Sequence, residues 1–182
     1  MKKHYLIFIL FTAWILSACD GFGENPTALP PERPAGTING RVVDGTIINS
    51  QINVYSFENG SVGELLASTT SNNEGSYTIA LHQKNQAVLI EATGGSYIEE
   101  TSGTLVTLQP GQRLRSIVNY DSGNLDVNIT PLTHLATALT EQKSSQGALA
   151  QDAIDEAVAE ISGLFNIDVI KTDPLDITDP AN

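Results

Sequence analysis

The chain has few residues of the kinds that build disulfides and nucleic-acid sites. It contains one cysteine, Cys19, so no disulfide can form within it. Nine basic residues stand against 21 acidic ones, and the formal net charge is −12. Because proteins bind phosphate backbones through clustered lysine and arginine, this balance argues against a nucleic-acid partner. The excess of negative charge favours solubility.

Histidine is also scarce, and the three histidines are not spaced as zinc ligands. His4 lies in the apolar N-terminal stretch, His82 at the end of an expected strand and His134 on an expected helix. A catalytic zinc site needs histidine and glutamate ligands at set spacings. Four aspartates near the C terminus match no calcium-binding loop with a central glycine. They are Asp168, Asp173, Asp176 and Asp179. We therefore expect no metal site and no cofactor.

Other patterns that could carry chemistry are better explained as turns or solvated loops. Glu99 and Glu100 are adjacent, so in a strand their carboxylates would point to opposite faces and make poor acid and base partners. The sequence TGGS, residues 93–96, precedes no helix or lysine and predicts a turn, not a phosphate-binding loop. No serine lies in a nucleophile-elbow pattern. The sequence offers no catalytic residue, and we expect no enzyme activity.

The first 18 residues differ in composition from the rest of the chain. Two lysines precede an apolar stretch, residues 5–16, and Ser17 and Ala18 follow it. A membrane-spanning helix needs about 20 apolar residues, whereas a basic start, an apolar core of about 7–15 residues and small residues at its end are typical of an export signal. We interpret residues 1–18 as a signal peptide.

The end of this segment has a distinctive sequence, Leu16, Ser17, Ala18 and Cys19. It resembles the lipobox of bacterial lipoproteins, in which the signal peptide is cut before the cysteine and the cysteine becomes acylated. The resemblance implies that Cys19 is the lipid attachment site. Since each buried methylene contributes about 0.8 kcal/mol, several acyl chains would hold the protein at a membrane. The alternatives are a cysteine inside an ordinary cleaved signal and an uncleaved anchor with an unmodified thiol.

The residue after the cysteine bears on location. Asp20 occupies the position at which lipoproteins of the enterobacterial type carry an aspartate as the signal for retention in the inner membrane. The resemblance implies a protein anchored in the bacterial cell envelope, at the periplasmic face of the inner membrane. Because this sorting rule differs between bacterial groups, the outer membrane or the cell surface is the alternative.

A proline- and glycine-rich segment follows, residues 19–36. It contains four prolines and three glycines and has few residues to bury. Such segments are semi-extended spacers. We expect a tether that holds the folded part away from the membrane.

Residues 37–130 consist of short runs in which β-branched or aromatic residues alternate with polar ones. Turn-forming pairs separate the runs, including Asp44-Gly45, Asn59-Gly60 and Pro110-Gly111. This spacing predicts a mainly β fold, an antiparallel sandwich or barrel. In the run INVYSF, Ile52 and Val54 are expected to face the core, and Tyr55 and Phe57 a second, partly covered face.

Three stretches of this region resemble the carboxypeptidase-regulatory-like, transthyretin-like domain. They are INGRVVDG, INVYSF and STTSNNEGSYTIAL, at residues 38–45, 52–57 and 68–81. Gly40 in the first strand, Gly45 and Gly75 in turns and Tyr77 at a strand start fit the pattern of that family, whereas Asn49 and Ser50 stand where it commonly has Gly-Ala. The resemblance implies a transthyretin-like β-sandwich that serves as an accessory module and not as a peptidase.

The remaining residues, 131–182, show helical spacing. Thr130 is expected to cap a helix that begins with Pro131. Its apolar stripe comprises Leu132, Leu135, Ala136 and Leu139. The stripe of a second helix comprises Ala150, Ala153, Ile154, Ala157, Val158, Ile161, Leu164 and Phe165. These patterns predict a helical hairpin and an acidic tail, or the start of a further domain.

Two classes of function remain. The first is a lipid-anchored, non-enzymatic module that presents the β-sandwich to a protein or glycan partner. The second is the accessory N-terminal part of an envelope hydrolase whose catalytic domain lies elsewhere.

The aromatic residues are expected mainly in the core, and stacking on sugars is the alternative for them. They are Tyr55, Phe57, Tyr77, Tyr97 and Tyr120.

Overall fold

The computed structural model describes residues 33–99 and 101–174, and within these residues nine strands precede two helices. The strands are β1 (Gly36–Arg41), β2 (Gln51–Glu58), β3 (Ser61–Thr70), β4 (Ser76–Leu81), β5 (Gln86–Thr93), β6 (Ser96–Ile98), β7 (Leu105–Thr107), β8 (Arg113–Tyr120) and β9 (Gly123–Asp126). The helices are α1 (Pro131–Ser145) and α2 (Ala150–Phe165). Neither helix has the length and apolar content needed to cross a membrane.

Two sheets face each other and enclose the main core. Their strand orders are β4-β1-β9 and β3-β2-β5-β8. Both contribute buried apolar side chains to one cluster, Ile38, Ile79 and Leu81 from the first sheet and Val54, Ile90 and Tyr120 from the second. The two helices follow as a hairpin. The predicted fold class, a mainly β sandwich followed by an α-helical hairpin, is confirmed.

One strand pair departs from the antiparallel arrangement. β1 and β9 run parallel, with Ile38 opposite Leu125, whereas the other ladders are antiparallel. Parallel neighbours cannot be joined by a tight turn and need a long connection. Here strands β2 to β8 supply that connection.

The turn expected at residues 93–96 is present and leads into a strand that the sequence did not predict. Gly94 and Gly95 have φ values of 62° and 85°, a backbone region that favours glycine. β6 follows directly and pairs with β7, placing Ile98 opposite Leu105. At three residues, β6 is too short to give a clear alternating pattern.

β2 has the two different faces that its sequence predicts. Ile52 and Val54 are fully buried in the main core. On the other face, Phe57 is buried in a second cluster, and Tyr55 packs against it. This second cluster includes Ile154 of α2, so the helical hairpin covers the outer face of the four-stranded sheet.

α1 begins as expected and buries hydroxyl side chains beside its apolar stripe. Thr130 caps the helix, and the Thr130 and Thr133 side chains each accept a hydrogen bond from the other residue's backbone N–H. Of the expected stripe, Ala136 is buried and Leu132 and Leu139 pack against its cluster, whereas Leu135 is 47% exposed and does not belong to the buried face. The helix also buries hydroxyl side chains, namely Thr133, Thr137, Thr140 and Ser144. This is possible because the hydroxyls of Thr137 and Thr140 donate to carbonyl oxygens one turn earlier and need no partner in the sheet.

α2 buries most of its expected apolar face. Ala153, Ile154, Ala157 and Ile161 are buried, whereas Leu164 and Phe165 are 72% and 50% exposed. The chain reverses at Asn166, which has a left-handed backbone, and Val169 then packs against Ile161. The returning segment therefore covers Ile161 and leaves the last two apolar residues of the helix outside.

Candidate functional site

A groove of about 750 Å³ lies between α2, strands β8 and β9, and the segment that follows α2. We call it the α2 groove. The side chains in its lining are mainly apolar or small, including Ile117, Leu125, Ile154, Val158, Ala159 and Ile170. Ile117 and Ile154 are almost fully buried, so the floor of the groove is part of the packed layer between hairpin and sheet.

The groove is open because one wall lacks large side chains. Ala159, Ser162 and Gly163 line it from α2, at the spacing of residues that share a helix face. A Cβ atom added at Gly163 would meet no atom within 4 Å. Small residues at this face leave the backbone of α2 accessible to a bound group.

The rim of the groove is polar and carries more negative than positive charge. Asn119 donates a hydrogen bond of 3.1 Å to a carboxylate oxygen of Asp155. Asp168 accepts hydrogen bonds from the backbone N–H groups of Ile170 and Lys171, and its other oxygen lies 3.9 Å from Lys171 Nζ. The rim thus carries the two carboxylates of Asp155 and Asp168 and the one ammonium group of Lys171.

Further exposed apolar side chains lie at the C-terminal end of α2. Leu164, Phe165 and Ile167 are 72%, 50% and 40% exposed. Ile167 also lines a smaller cavity of about 280 Å³, together with Leu132 and Val169. Single exposed apolar side chains are common on protein surfaces, and of these three Ile167 is the one that also lines the α2 groove.

A third cavity, of about 390 Å³, contains two arginines but has no excess of positive charge. Arg115 forms a bidentate ion pair with Glu141, and Arg113 lies 3.6 Å from Glu91. Asp44 lines the same cavity. Because each guanidinium already faces a carboxylate and Asp44 adds another, we assign no anion-binding site there.

The two described histidines lie apart, and neither is part of a metal site. His82 is exposed just after β4. His134 lies on α1 and lines the arginine cavity, and its Nδ1 atom is buried without a hydrogen-bond partner. Burial, followed by the positive charges of Arg115 and Arg113, lowers the pKa of His134. The third histidine, His4, lies outside the described residues.

The acidic candidates occupy structural positions. Asp173 accepts a hydrogen bond from Asn128, and Asp168 accepts hydrogen bonds from the backbone after α2, as described above. Within residues 33–99 and 101–174, no three His, Cys, Asp or Glu side chains come together as a metal site would require. Asp176 and Asp179 lie outside these residues.

The expectation of a loop at Glu99 is confirmed. Glu99 lies in the turn between β6 and β7, and its carboxylate accepts hydrogen bonds from the backbone N–H groups of Thr101 and Ser102. Hydrogen bonds from Ser102, and then from Thr101, lower the pKa of Glu99 to about 2. Its neighbour Glu100 lies outside the described residues, so the structure says nothing about the carboxylate pair.

The aromatic residues lie in or against the core, as expected. Phe57, Tyr77 and Tyr120 are at most 4% exposed, and Tyr55 and Tyr97 pack against the buried clusters. Burial raises the pKa of the Tyr77 hydroxyl, which therefore stays protonated well above its ordinary range. All five rings contribute to packing, and those of Tyr55 and Tyr97 remain partly exposed.

The residues of the expected lipid attachment site lie outside the described part of the chain. They are Leu16, Ser17, Ala18, Cys19 and Asp20. The structure therefore neither supports nor contradicts acylation at Cys19 or sorting by Asp20.

Sequence reasoning missed the α2 groove. The hydrophobic stripe of α2 is evident from its spacing, and the row formed by Ala159, Ser162 and Gly163 lies beside it. Small residues at helical spacing next to an apolar stripe were the available signal. They could not show which strand would form the opposite wall, because that depends on how the hairpin packs on the sheet.

No protein-family profile and no curated protein matches this sequence. A solved 9R-lipoxygenase from Cyanothece is similar over 70% of this chain, with 11% sequence identity and a TM-score of 0.30. This chain spans only 25% of that lipoxygenase. The major plantain pollen allergen is similar over 52% of this chain and 92% of its own length, with 12% identity and a TM-score of 0.31. Neither likeness is close enough to indicate a family or an activity.

Proposed function

We propose that this protein is a bacterial envelope lipoprotein whose folded part is a non-enzymatic binding module for a protein or glycan partner. The proposed location rests on the sequence. The lipobox-like residues 16–19 follow an export signal and predict a lipid on Cys19, and Asp20 favours the periplasmic face of the inner membrane. The outer membrane or the cell surface is the alternative location.

The observation that supports binding is the α2 groove with the exposed end of α2. Its volume, about 750 Å³, lies within the range of about 300–1,000 Å³ that is typical of ligand pockets. Leu164 and Phe165, at the end of the same helix but outside the lining of the groove, add exposed apolar side chains. Other residues of the hairpin cover the outer face of the four-stranded sheet. Leu164 and Phe165 are therefore available to a partner.

The proline- and glycine-rich residues 19–36 complete the proposal. The predicted boundary at residue 36 is too late, because the backbone N–H of Ala35 already donates a hydrogen bond to Leu81 and Gly36 begins β1, so the tether would comprise residues 19–34. An extended proline-rich spacer rises about 3.1 Å per residue, which would give these residues a reach of roughly 50 Å. A module on such a tether could meet partners at a distance from the membrane while the lipid on Cys19 keeps it in the envelope.

The anchor is tested by replacing Cys19 with serine in the full chain. We expect Cys19→Ser to leave the membrane fraction or to accumulate as an uncleaved precursor, because a serine cannot accept the lipid. Ser17→Ala is the matched control, since it retains a small residue at its position and should remain membrane-bound. If the Cys19→Ser variant kept the membrane location and the mass of the protein with the native sequence, the lipoprotein proposal would be wrong.

The binding role is tested by isolating the anchored protein from membranes with its partners. We expect a stoichiometric envelope protein or a bound glycan. The second candidate, the accessory N-terminal part of an envelope hydrolase, is favoured by the exposed Leu164 and Phe165, which a catalytic domain could cover. Recovery of a stoichiometric hydrolase would support that alternative over a self-contained binding module.

A further inference from the structure

We infer that the α2 groove binds the apolar face of a basic, amphipathic segment of a partner protein. This inference rests on the proposed function, because it names the kind of partner that the binding module takes. It follows from the shape of the groove, the small residues in its wall and the charges around it.

The first argument is the match between the groove and an amphipathic segment. An amphipathic helix binds by laying one apolar face into an apolar groove. The α2 groove provides such a floor through Leu125, Ile154 and Val158. Its wall at Ser162 and Gly163 has no bulky side chain, so a partner could approach the backbone of α2 closely.

The second argument is the charge of α2 itself. The helix carries four carboxylates and no lysine or arginine, namely Asp152, Asp155, Glu156 and Glu160. Lys143 of α1 lies 3.2 Å from Glu156 and 3.5 Å from Glu160, and it compensates one of these charges. Of the helix's carboxylates, Asp155 lines the groove, and together with Asp168 it outnumbers the one lysine of the lining, Lys171. Charges of opposite sign favour association, so the complementary segment carries lysine or arginine beside its apolar face.

The same charge argues against two other occupants. A second copy of this chain has the same net charge of −12, and like charges oppose its approach. An acidic peptide would meet the same repulsion at Asp155 and Asp168. A basic, amphipathic segment is therefore the occupant that matches the groove. Its apolar face would contact the apolar floor, and its positive charges would lie near the acidic rim.

The test uses the full-length protein in nanodiscs of zwitterionic lipid, with empty nanodiscs measured in parallel. The probes are two fluorescent amphipathic peptides of roughly five helical turns. They share one leucine pattern, and their polar positions are all lysine in one and all glutamate in the other. We expect the lysine probe to bind at least about tenfold more tightly than the glutamate probe, as measured by fluorescence anisotropy.

A groove-filling variant separates binding in the groove from general charge attraction. Gly163→Leu places a side chain in open space on a helix, so the fold should be retained, and the net charge is unchanged. We expect it to weaken the lysine probe by about tenfold or more. Binding that is unaffected by Gly163→Leu would overturn the inference.

A pair of matched variants tests the acidic rim. Asp155→Asn removes a charge at the groove, whereas Glu64→Gln removes one from an exposed position on β3, an edge strand of the four-stranded sheet. We expect Asp155→Asn to weaken the lysine probe more than Glu64→Gln does. Equal losses would mean that the peptide responds only to net charge, and the inference would be wrong.

Two further outcomes distinguish failure of the inference about the α2 groove from failure of the proposed binding function. If sedimentation showed a dimer that Gly163→Leu abolishes, the occupant would be a second copy and the inference would be overturned. If an envelope partner were recovered equally well with the Gly163→Leu protein, the proposed binding function would stand and the inference about this groove would fail. Loss of that partner with Gly163→Leu, together with selective binding of the lysine probe, supports both.

Discussion

The hydroxyl of Tyr77 donates a 2.6 Å hydrogen bond to the carbonyl oxygen of Val127, and Gly40 makes this contact possible. Tyr77 lies on β4 and Val127 just after β9, with β1 between those strands. A Cβ atom at Gly40 would lie 1.9 Å from the Val127 oxygen and 3.1 Å from the Tyr77 hydroxyl. The three residues therefore form one contact that ties the strands of this sheet together.

Removing the Tyr77 hydroxyl should lower stability. Tyr77→Phe keeps the ring in the core but leaves the buried carbonyl of Val127 without this donor, and an unsatisfied buried group costs about 1–3 kcal/mol. The free energy of unfolding, measured with urea, should fall by that amount. Tyr97→Phe is the control, because Tyr97 is only half-buried at the edge of the core. Equal midpoints for the two variants would contradict the prediction.

Two glycine substitutions should have opposite effects on stability. Gly40→Ala forces a Cβ atom into the Val127 carbonyl and should cost more than about 1 kcal/mol. Gly163→Ala adds a methyl group in open space on a helix and should stabilise the protein by about 0.5–1 kcal/mol. Thermal and urea unfolding of both variants measure the difference. A loss of stability in Gly163→Ala would show that this part of α2 is packed more tightly than the structure indicates.

Gly40 and Tyr77 illustrate what the sequence could predict. A glycine inside an alternating strand indicates a close backbone approach, and an aromatic residue after a turn indicates a ring in the core. Both features arise from local patterns, and the structure confirms both. The same applies to the Thr130 cap and to the two faces of β2.

The features that the sequence did not predict depend on which elements meet in space. The helical period of α1 identifies its apolar stripe, but it does not show that Thr137 and Thr140 satisfy their own hydroxyls and are buried beside that stripe. Likewise, β9 was recognisable as extended chain, but nothing local shows that it lies parallel to β1. The α2 groove has the same origin, because its walls come from β8, β9 and α2.

The ion pair between Arg115 and Glu141 should contribute more than the surface ion pairs of the hairpin. The Arg115 side chain is only 11% exposed and that of Glu141 is 31% exposed. Glu141→Gln leaves a mostly buried guanidinium without its carboxylate, and we expect a loss of about 2–4 kcal/mol, less than for a fully buried pair.

The variant Glu156→Gln provides the comparison for Glu141→Gln. Glu156 pairs with Lys143 but its side chain is 62% exposed, so its replacement should change stability by less than about 1 kcal/mol. Urea unfolding at one pH measures both variants. Similar losses for Glu141→Gln and Glu156→Gln would show that burial does not strengthen the Arg115 pair.

His134 should make the folded state sensitive to mild acid. Burial, then Arg115 and Arg113, lower its pKa, although Glu141 and Glu91 act in the opposite direction. As pH falls through about 6.5, the unfolded chain binds a proton at this histidine that the folded chain does not. Stability due to His134 is therefore lost below that pH, until the folded state is also protonated at its own, lower pKa.

His134→Gln removes this titration, so its unfolding free energy should decline less than that of the unmodified protein between about pH 7 and pH 5. Urea unfolding at several pH values in this interval measures the slope. His82→Gln, the same substitution at an exposed position just after β4, is the matched control. The interval ends near pH 5 because carboxylates begin to bind protons below it. Equal slopes for His134→Gln and the unmodified protein would show that the neighbouring carboxylates cancel the effect of burial and of the two arginines.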